Sequence, residues 1–237
     1  MATRRNKNQM STLVIIPAFN EEDSIVSTVE ELRDTSPNLD YVIINDGSTD
    51  HTGTICRERG YNLIDLPCNL GLTGAFQTGM KYAYRNNYDH AIQFDADGQH
   101  MPEFIRRIEQ AMDQSGSDIV IGSRFVTEPK PTSLRMLGSN LISFLIRITT
   151  GVTIKDPTSG MRMYGKRAIK AFATRNDLTP EPDTLAFLIK HKGFKVIEHQ
   201  VQMRERMAGK SYLTLSKSIS YMANACTSII FSLWFRR

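Results

Sequence analysis

The stretch AIQFDADGQHMPEF, residues 91 to 104, sets Asp95, Asp97 and Gln99 at alternate positions directly after an apolar run. Two carboxylates this close repel each other unless positive charge sits between them. Carboxylates with an amide oxygen form a hard oxygen donor set. That set suits Mg²⁺ or Mn²⁺, cations usually shared with substrate phosphates. The D-x-D-x-Q string alone is weak evidence, because surface strings of this type are common. Its place at the end of an apolar run, where other runs also end in polar groups, strengthens it.

Those other ends follow one pattern. TLVIIPAFN closes on Pro17, Phe19 and Asn20, with Glu21 next, and YVIIND closes on Asp46 before the turn residues Gly47 and Ser48. SDIVIGS runs into Arg124. In open parallel sheets, ligands bind beyond the carboxyl ends of the strands. Four such ends deliver polar or charged groups to one edge, which a sheet acting only as scaffold has little reason to do.

The elements that must hold these groups alternate along the chain. Short β-branched runs read as buried strands at TLVIIP, YVIIND, NLIDL, HAIQF and SDIVIGS. Between them lie helical segments: EEDSIVSTVEELRDTS with acids at its start, Thr52 to Arg59, LTGAFQTGMKYAYRN, and PEFIRRIEQAMDQS opening at Pro102. Strands alternating with helices imply right-handed crossovers and a Rossmann-like, mostly parallel α/β sheet flanked by helices. Beyond residue 125 come a Pro-rich loop, VTEPKPTS, and an apolar helix, LRMLGSNLISFLIRIT. A turn-rich IKDPTSGMRMY then leads to a strand, a helix turns at Gly193 into a further strand, and a basic loop, RERMAGKS, precedes a helical tail from Leu213 to Arg237.

Composition narrows the class. The chain has 237 residues, 41% hydrophobic and 23% charged, as an ordinary globular protein does. No run of 18 uncharged apolar residues is present, so no membrane-spanning helix is expected. The basic start MATRRNKNQM lacks an apolar core, so it reads as a disordered arm over residues 1–10 and not as a secretory signal. Cys56, Cys68 and Cys226 are far apart without metal-ligand spacing, consistent with reduced thiols and a cytosolic setting. Residues 161–237 carry 14 Lys and Arg against 5 Asp and Glu, whereas the first 160 carry 15 against 20. Such asymmetry points to an anionic partner or, more simply, to a solvated basic face. Nucleic acid is not expected, for the basic region lacks interleaved aromatics and any known binding motif.

The segments VIIPAFNEEDSI, VIINDGSTDHT, NLGLTGAFQTGMKYA, QFDADGQHMPEFI, IVIGSRF, DPTSGMRMY and RERMAGKSYL occur in this order. Together they resemble family-2 glycosyltransferases of the GT-A fold, in the branch of dolichyl- and polyprenyl-phosphate sugar transferases, over residues 12–215. The resemblance implies that Pro17, Phe19, Glu21 and Asp46 contact the base and ribose of a nucleotide-sugar. It implies that Asp95, Asp97 and Gln99 hold Mg²⁺ or Mn²⁺ on the diphosphate, with Arg206 gripping the donor phosphates. Arg124, Arg135 and Ser139 would bind the acceptor phosphate, and Asp156 would sit near the reaction centre. Asp156 read as a residue alone could equally cap the turn at Pro157. The chain departs from the pattern at Asn45-Asp46-Gly47, where Asp-Asp-Gly is usual, and at Lys210, where some relatives carry an acid. Lys210 would add to the diphosphate grip.

The resemblance implies inverting transfer of a sugar to a polyprenyl (undecaprenyl) phosphate at the cytoplasmic face of a membrane, for cell-envelope glycan synthesis. The strings DADGQH and DPTSGMR incline the donor toward UDP-glucose. A polysaccharide or protein acceptor remains an alternative, as does a non-catalytic nucleotide-sugar binding module. The catalytic domain is expected over residues 11–210 and an amphipathic helix over residues 211–237. The tail's Ile229, Ile230, Phe231, Leu233, Trp234 and Phe235, followed by Arg236 and Arg237, read as a surface for lipid. The core or a second copy in a homo-oligomer could cover the same surface.

Overall fold

The computed structural model describes residues 10–205 and 215–235, without the side chains of Leu134, Arg135, residues 215–220 and residues 233–235. The expected arm up to residue 9, Arg206, Lys210, Arg236 and Arg237 lie outside the described residues.

Among the described residues, seven strands form one sheet: β1 (Thr12–Ala18), β2 (Asp40–Asn45), β3 (Leu63–Asp65), β4 (His90–Gln93), β5 (Ile119–Ser123), β6 (Arg162–Gly165) and β7 (Val196–Gln200), in the order β3-β2-β1-β4-β6-β5-β7. Parallel pairing joins β1 to β2 and β4, β2 to β3, and β5 to β7. Only β6 runs against its neighbours, wedged between β4 and β5. Along β1, Leu13 and Ile15 join one apolar cluster while Val14 and Ile16 join another, and all four are fully buried. Both faces are therefore covered, which is why the strands read as unbroken apolar runs without alternation.

Helices α1 (Ile25–Thr35), α2 (Thr52–Glu58) and α4 (Glu103–Ser115) cover the Val14 face. Helices α3 (Gly71–Arg85), α5 (Leu134–Thr150), α6 (Lys166–Thr174), α7 (Pro182–Lys192) and α8 (Leu215–Phe235) lie on the other. The acids expected at the start of α1 precede it: Glu21, Glu22 and Asp23 form a turn, entered through Asn20 at φ 56°. The Glu21 and Glu22 N–H groups are bonded to the side chains of Thr52 and Asp50, which ties this turn to the segment after β2.

The tail helix α8 packs along α5 and α7. Ile229 is fully buried and Ala225 joins the core, while the Tyr221 hydroxyl donates to Glu181 on the loop before α7 at 2.6 Å. Ile230 and Phe231 stay exposed. The apolar tail is thus divided between core and surface. Among the described residues no helix is long and apolar enough to cross a membrane.

Candidate active site

The strand order reverses between β1 and β4, since β2 and β3 lie on one side of β1 and β4 on the other. Beyond the carboxyl ends of the strands flanking this switch point opens a cavity of about 440 Å³. Pro17, Phe19, Glu21, Asp46, Asp95 and Asp97 all line it. Six expected donor-side residues are therefore brought together, from β1, β2 and β4.

The loops around the cavity are tied to one another. Asn20 N–H donates to Ser48 Oγ at 3.0 Å, and Thr49 N–H returns to Asn20 Oδ1 at 2.8 Å. Glu21 N–H donates to Thr52 Oγ1 at 2.9 Å, and Glu22 N–H to Asp50 Oδ2 at 3.2 Å. Burial alone would raise the Asp50 carboxyl pKa. Hydrogen bonds from the Thr52 hydroxyl and from the Thr52 and Glu22 N–H groups outweigh it and hold the pKa below its ordinary value. The STDHT segment is thus a clamp on the first loop, a role that reading only its Asp46 end overlooked. Asp46 itself is buried and accepts the Leu70 N–H at 2.7 Å, so it also anchors the segment leading into α3.

The D-x-D-x-Q segment forms a tight turn. Asp97 Oδ1 accepts the Gln99 N–H at 3.0 Å, and Gly98 adopts φ 76°, open to glycine at little cost. Asp95 Oδ1 accepts Gln93 Nε2 at 3.1 Å. Buried His100 accepts the Asp95 N–H on Nδ1 at 2.9 Å and points Nε2 at Asp95 Oδ2, 3.6 Å away. No Lys or Arg among the described residues pairs with Asp95. Two carboxylates on one wall of a cavity fit Mg²⁺ or Mn²⁺, which take one or two protein carboxylates and complete their shell from phosphate and water. Gln99 is placed differently from the other two: it is absent from the cavity lining, and its Nε2 approaches the Arg204 carbonyl at 3.4 Å. The turn is strapped at that point by Arg204 N–H to Gln99 O at 3.0 Å and by a bidentate Arg204–Glu31 pair at 2.8 and 2.7 Å.

A second cluster stands beside it. Arg124 grips Asp156 with Nε and Nη2, both at 2.8 Å, and Asp156 is fully buried. The Asp156 N–H and the Lys155 N–H both donate to Glu198 on β7, each at 2.7 Å. Arg162 Nη2 donates to Pro157 O at 2.6 Å and its Nε to Ser159 O at 2.8 Å, fixing the turn. Asp156 therefore orients an arginine: among the described residues its carboxylate accepts from the Arg124 backbone N–H and guanidinium and does not cap the Pro157 turn. Ser139 on α5 is buried and accepts Lys130 Nζ at 3.1 Å. The Arg135 side chain lies outside the description. His100, Lys130, Arg162 and Glu198 were not singled out from sequence. The polar Gln93 at the end of β4 was the available signal that this strand supports chemistry; the others gave none.

The two clusters touch. At Gly160 a Cβ would fall 2.8 Å from Asp95 Oδ2, so the turn that carries Asp156 at one end abuts Asp95 at the other.

A family model described as Glycosyl transferase family 2 matches residues 13–172. Undecaprenyl-phosphate mannosyltransferase of Micrococcus luteus is 32% identical over 217 residues, covering 86% of this chain and 88% of that protein. UDP-N-acetylglucosamine--dolichyl-phosphate N-acetylglucosaminyltransferase of Methanococcus voltae is 34% identical over 184 residues, covering 68% and 71%. Among solved structures, glucosyl-3-phosphoglycerate synthase from Mycobacterium tuberculosis, in complex with Mn²⁺, UDP and phosphoglyceric acid, is similar with a TM-score of 0.67 at 15% identity. That match covers 94% of this chain and 78% of the other. With a switch-point cavity, a D-x-D turn and a family match over more than half its length, the chain belongs to glycosyltransferase family 2 and has the GT-A fold.

Proposed function

We propose that this glycosyltransferase moves a sugar from a nucleotide-sugar to the phosphate of a polyprenyl phosphate, by single displacement with inversion, at the cytoplasmic face of a membrane. The observation that carries the reading is the contact between the Asp95–Asp97 turn and the turn from Asp156 to Gly160, which sets the Arg124–Asp156 cluster next to the donor cavity. Relatives named for lipid-phosphate acceptors support it.

In this reading Pro17, Phe19, Glu21 and Asp46 hold the base and ribose, and Asp95 and Asp97 would hold the divalent cation, with Gln99 joining them only if its amide turns from the Arg204 carbonyl. When bound, that cation offsets the charge developing on the diphosphate as a Lewis acid. Arg206 and Lys210 share that task. Arg124, Arg135 and Ser139 position the acceptor phosphate. With a second pKa of about 6, a phosphate monoester is largely deprotonated at neutral pH, so no general base is required. Its oxygen forms the bond to the anomeric carbon as the bond to the diphosphate oxygen breaks. Asp156 contributes by holding the Arg124 guanidinium in place, because oriented donors add most when they need no reorganisation.

A lipid acceptor requires a surface that meets lipid. Helix α5 carries Leu137, Leu141, Phe144 and Ile148 on one exposed stripe, each at least 50% exposed, and Ile230 and Phe231 of α8 add to the exposed apolar surface. A stripe of this size on a helix that also supplies Ser139 suits an interfacial helix lying in the headgroup layer. The stripe on α5, more than the partly buried tail, is then the membrane contact.

The test is a transfer assay with a panel of nucleotide-sugars, UDP-glucose first, with Mg²⁺ or Mn²⁺ and with or without polyprenyl phosphate. Nucleotide release that depends on the lipid phosphate, with a glycolipid product by mass spectrometry, is the expected result. Release stimulated by a polysaccharide or protein and not by the lipid overturns the acceptor. Tight binding with no turnover on any acceptor makes the chain a binding module. The double variant Leu141→Asp/Phe144→Asp should lose co-sedimentation with anionic vesicles; unchanged co-sedimentation removes α5 from the membrane contact.

A further inference from the structure

Lys130 lies in the Pro-rich loop between β5 and α5, outside the motif residues, yet its Nζ is 3.1 Å from Ser139 Oγ. The same ammonium lies 5.6 Å from the centre of the Phe125 ring, and the Arg124 guanidinium 5.0 Å from it, so two cations flank one aromatic side chain. We propose that Lys130 is a further cation of the acceptor site, binding a phosphate oxygen directly and turning the Ser139 hydroxyl toward the same phosphate. The inference rests on the phosphate-acceptor reading above.

Three observations support it. The first is charge. Arg124 is matched by Asp156 through two hydrogen bonds, so its guanidinium brings little net charge to an incoming dianion. Lys130 forms no ion pair among the described residues, and its hydrogen bond is to a neutral hydroxyl. The second is environment. Lys130 is half-buried, and burial lowers its pKa even though Asp156 and Glu198 pull the other way, with Arg124 adding to the lowering. A cation held where its charge is poorly compensated is relieved by an anion. The third is proton geometry. An ammonium has three donors, so one on Ser139 leaves two for phosphate oxygens. A hydroxyl that accepts from Lys130 keeps its own proton to donate, and among the described residues Ser139 Oγ bonds to Lys130 alone.

The experiment measures transfer to a short, water-soluble prenyl phosphate, which removes membrane binding from the result, with nucleotide affinity measured by calorimetry. Lys130→Gln should raise the acceptor KM about tenfold, the lower end for losing one hydrogen bond to a charged group. Its nucleotide affinity and melting temperature should match wild type. Lys130→Arg should recover most of the loss. If Lys130 orients Ser139, the double variant Lys130→Gln/Ser139→Ala should be little worse than the worse single one. An unchanged acceptor KM in Lys130→Gln overturns the assignment while the wild-type transfer leaves the acceptor reading standing. Equal loss of nucleotide affinity overturns it in favour of a donor-side or folding role. Absence of transfer by wild type to any prenyl phosphate overturns the acceptor reading and this assignment with it.

Discussion

Asp95 and Asp156 are the same residue in adjoining turns, and the fold treats them in opposite ways. Asp95 follows β4 on the cavity wall, with a side chain 36% exposed, and its neighbours are an amide and an imidazole. Asp156 precedes β6, is 0% exposed, and is gripped by an arginine. One carboxylate is held in position with its charge unmatched by any Lys or Arg among the described residues; the other has its charge matched so that it can hold a cation in position. The difference teaches that a carboxylate's role here is set by the partner another part of the chain brings to it. Arg124 comes from the end of β5, 32 residues away from Asp156.

The comparison breaks most sharply at the neighbour of Asp95. On the proposed reading, Asp97→Ala should lower turnover by about 10²- to 10³-fold, because it would remove part of the preorganised stabilisation of the leaving diphosphate. Its thermal melt should stay close to wild type. Excess EDTA should do the same to the wild-type enzyme, and full activity in EDTA would remove the cation from the Asp95 side altogether.

Asp156→Asn should act through stability as well as activity. Breaking a buried ion pair from one side costs roughly 3–5 kcal/mol, but Arg124 is 29% exposed and can be partly resolvated, so about 2 kcal/mol is expected. Chemical denaturation would read it. The acceptor KM should rise while nucleotide affinity holds. A variant with wild-type stability and acceptor KM would mean that the pair positions nothing.

His100→Phe sharpens the donor side. The ring packs against Phe94, which a phenyl group can still do, but the Asp95 N–H loses its acceptor. A supporting residue of this type typically changes metal affinity by about tenfold or more. Titration of Mn²⁺ against nucleotide binding measures it, and an unchanged Mn²⁺ requirement would reduce His100 to packing.

Glu198→Gln should be the mildest. Two backbone N–H groups share the two carboxylate oxygens, and an amide keeps only one acceptor, so about 1 kcal/mol is expected. In a chain of this size that is a fall of roughly 2–4 °C in melting temperature. A fall much larger than this would show that Glu198 supports more than the Asp156 turn.

The local pattern told much of this in advance. The apolar runs that end in Pro17, Asp46 and Asp95 were legible as strands, because a strand buried on both faces must be apolar throughout. Their polar ends were legible as one edge, because parallel strands share a direction. The tail helix was legible as apolar but not as divided: Ile229 is fully buried and Phe231 exposed, and only the neighbours α5 and α7 decide which.

By itself the sequence determined which side chains stand at strand ends and what cation chemistry they suit, since residue type and local periodicity carry that information. Only the tertiary structure decided that β6 slips antiparallel between β4 and β5. That insertion lays the turn from Asp156 to Gly160 against Asp95 and brings Arg124 to Asp156 and Glu198 to the backbone of the turn. The physical reason is that an apolar run specifies that a strand will be buried but not which strand will lie beside it. Partner choice is made by the global packing of all seven strands and their helices, and no short segment encodes it.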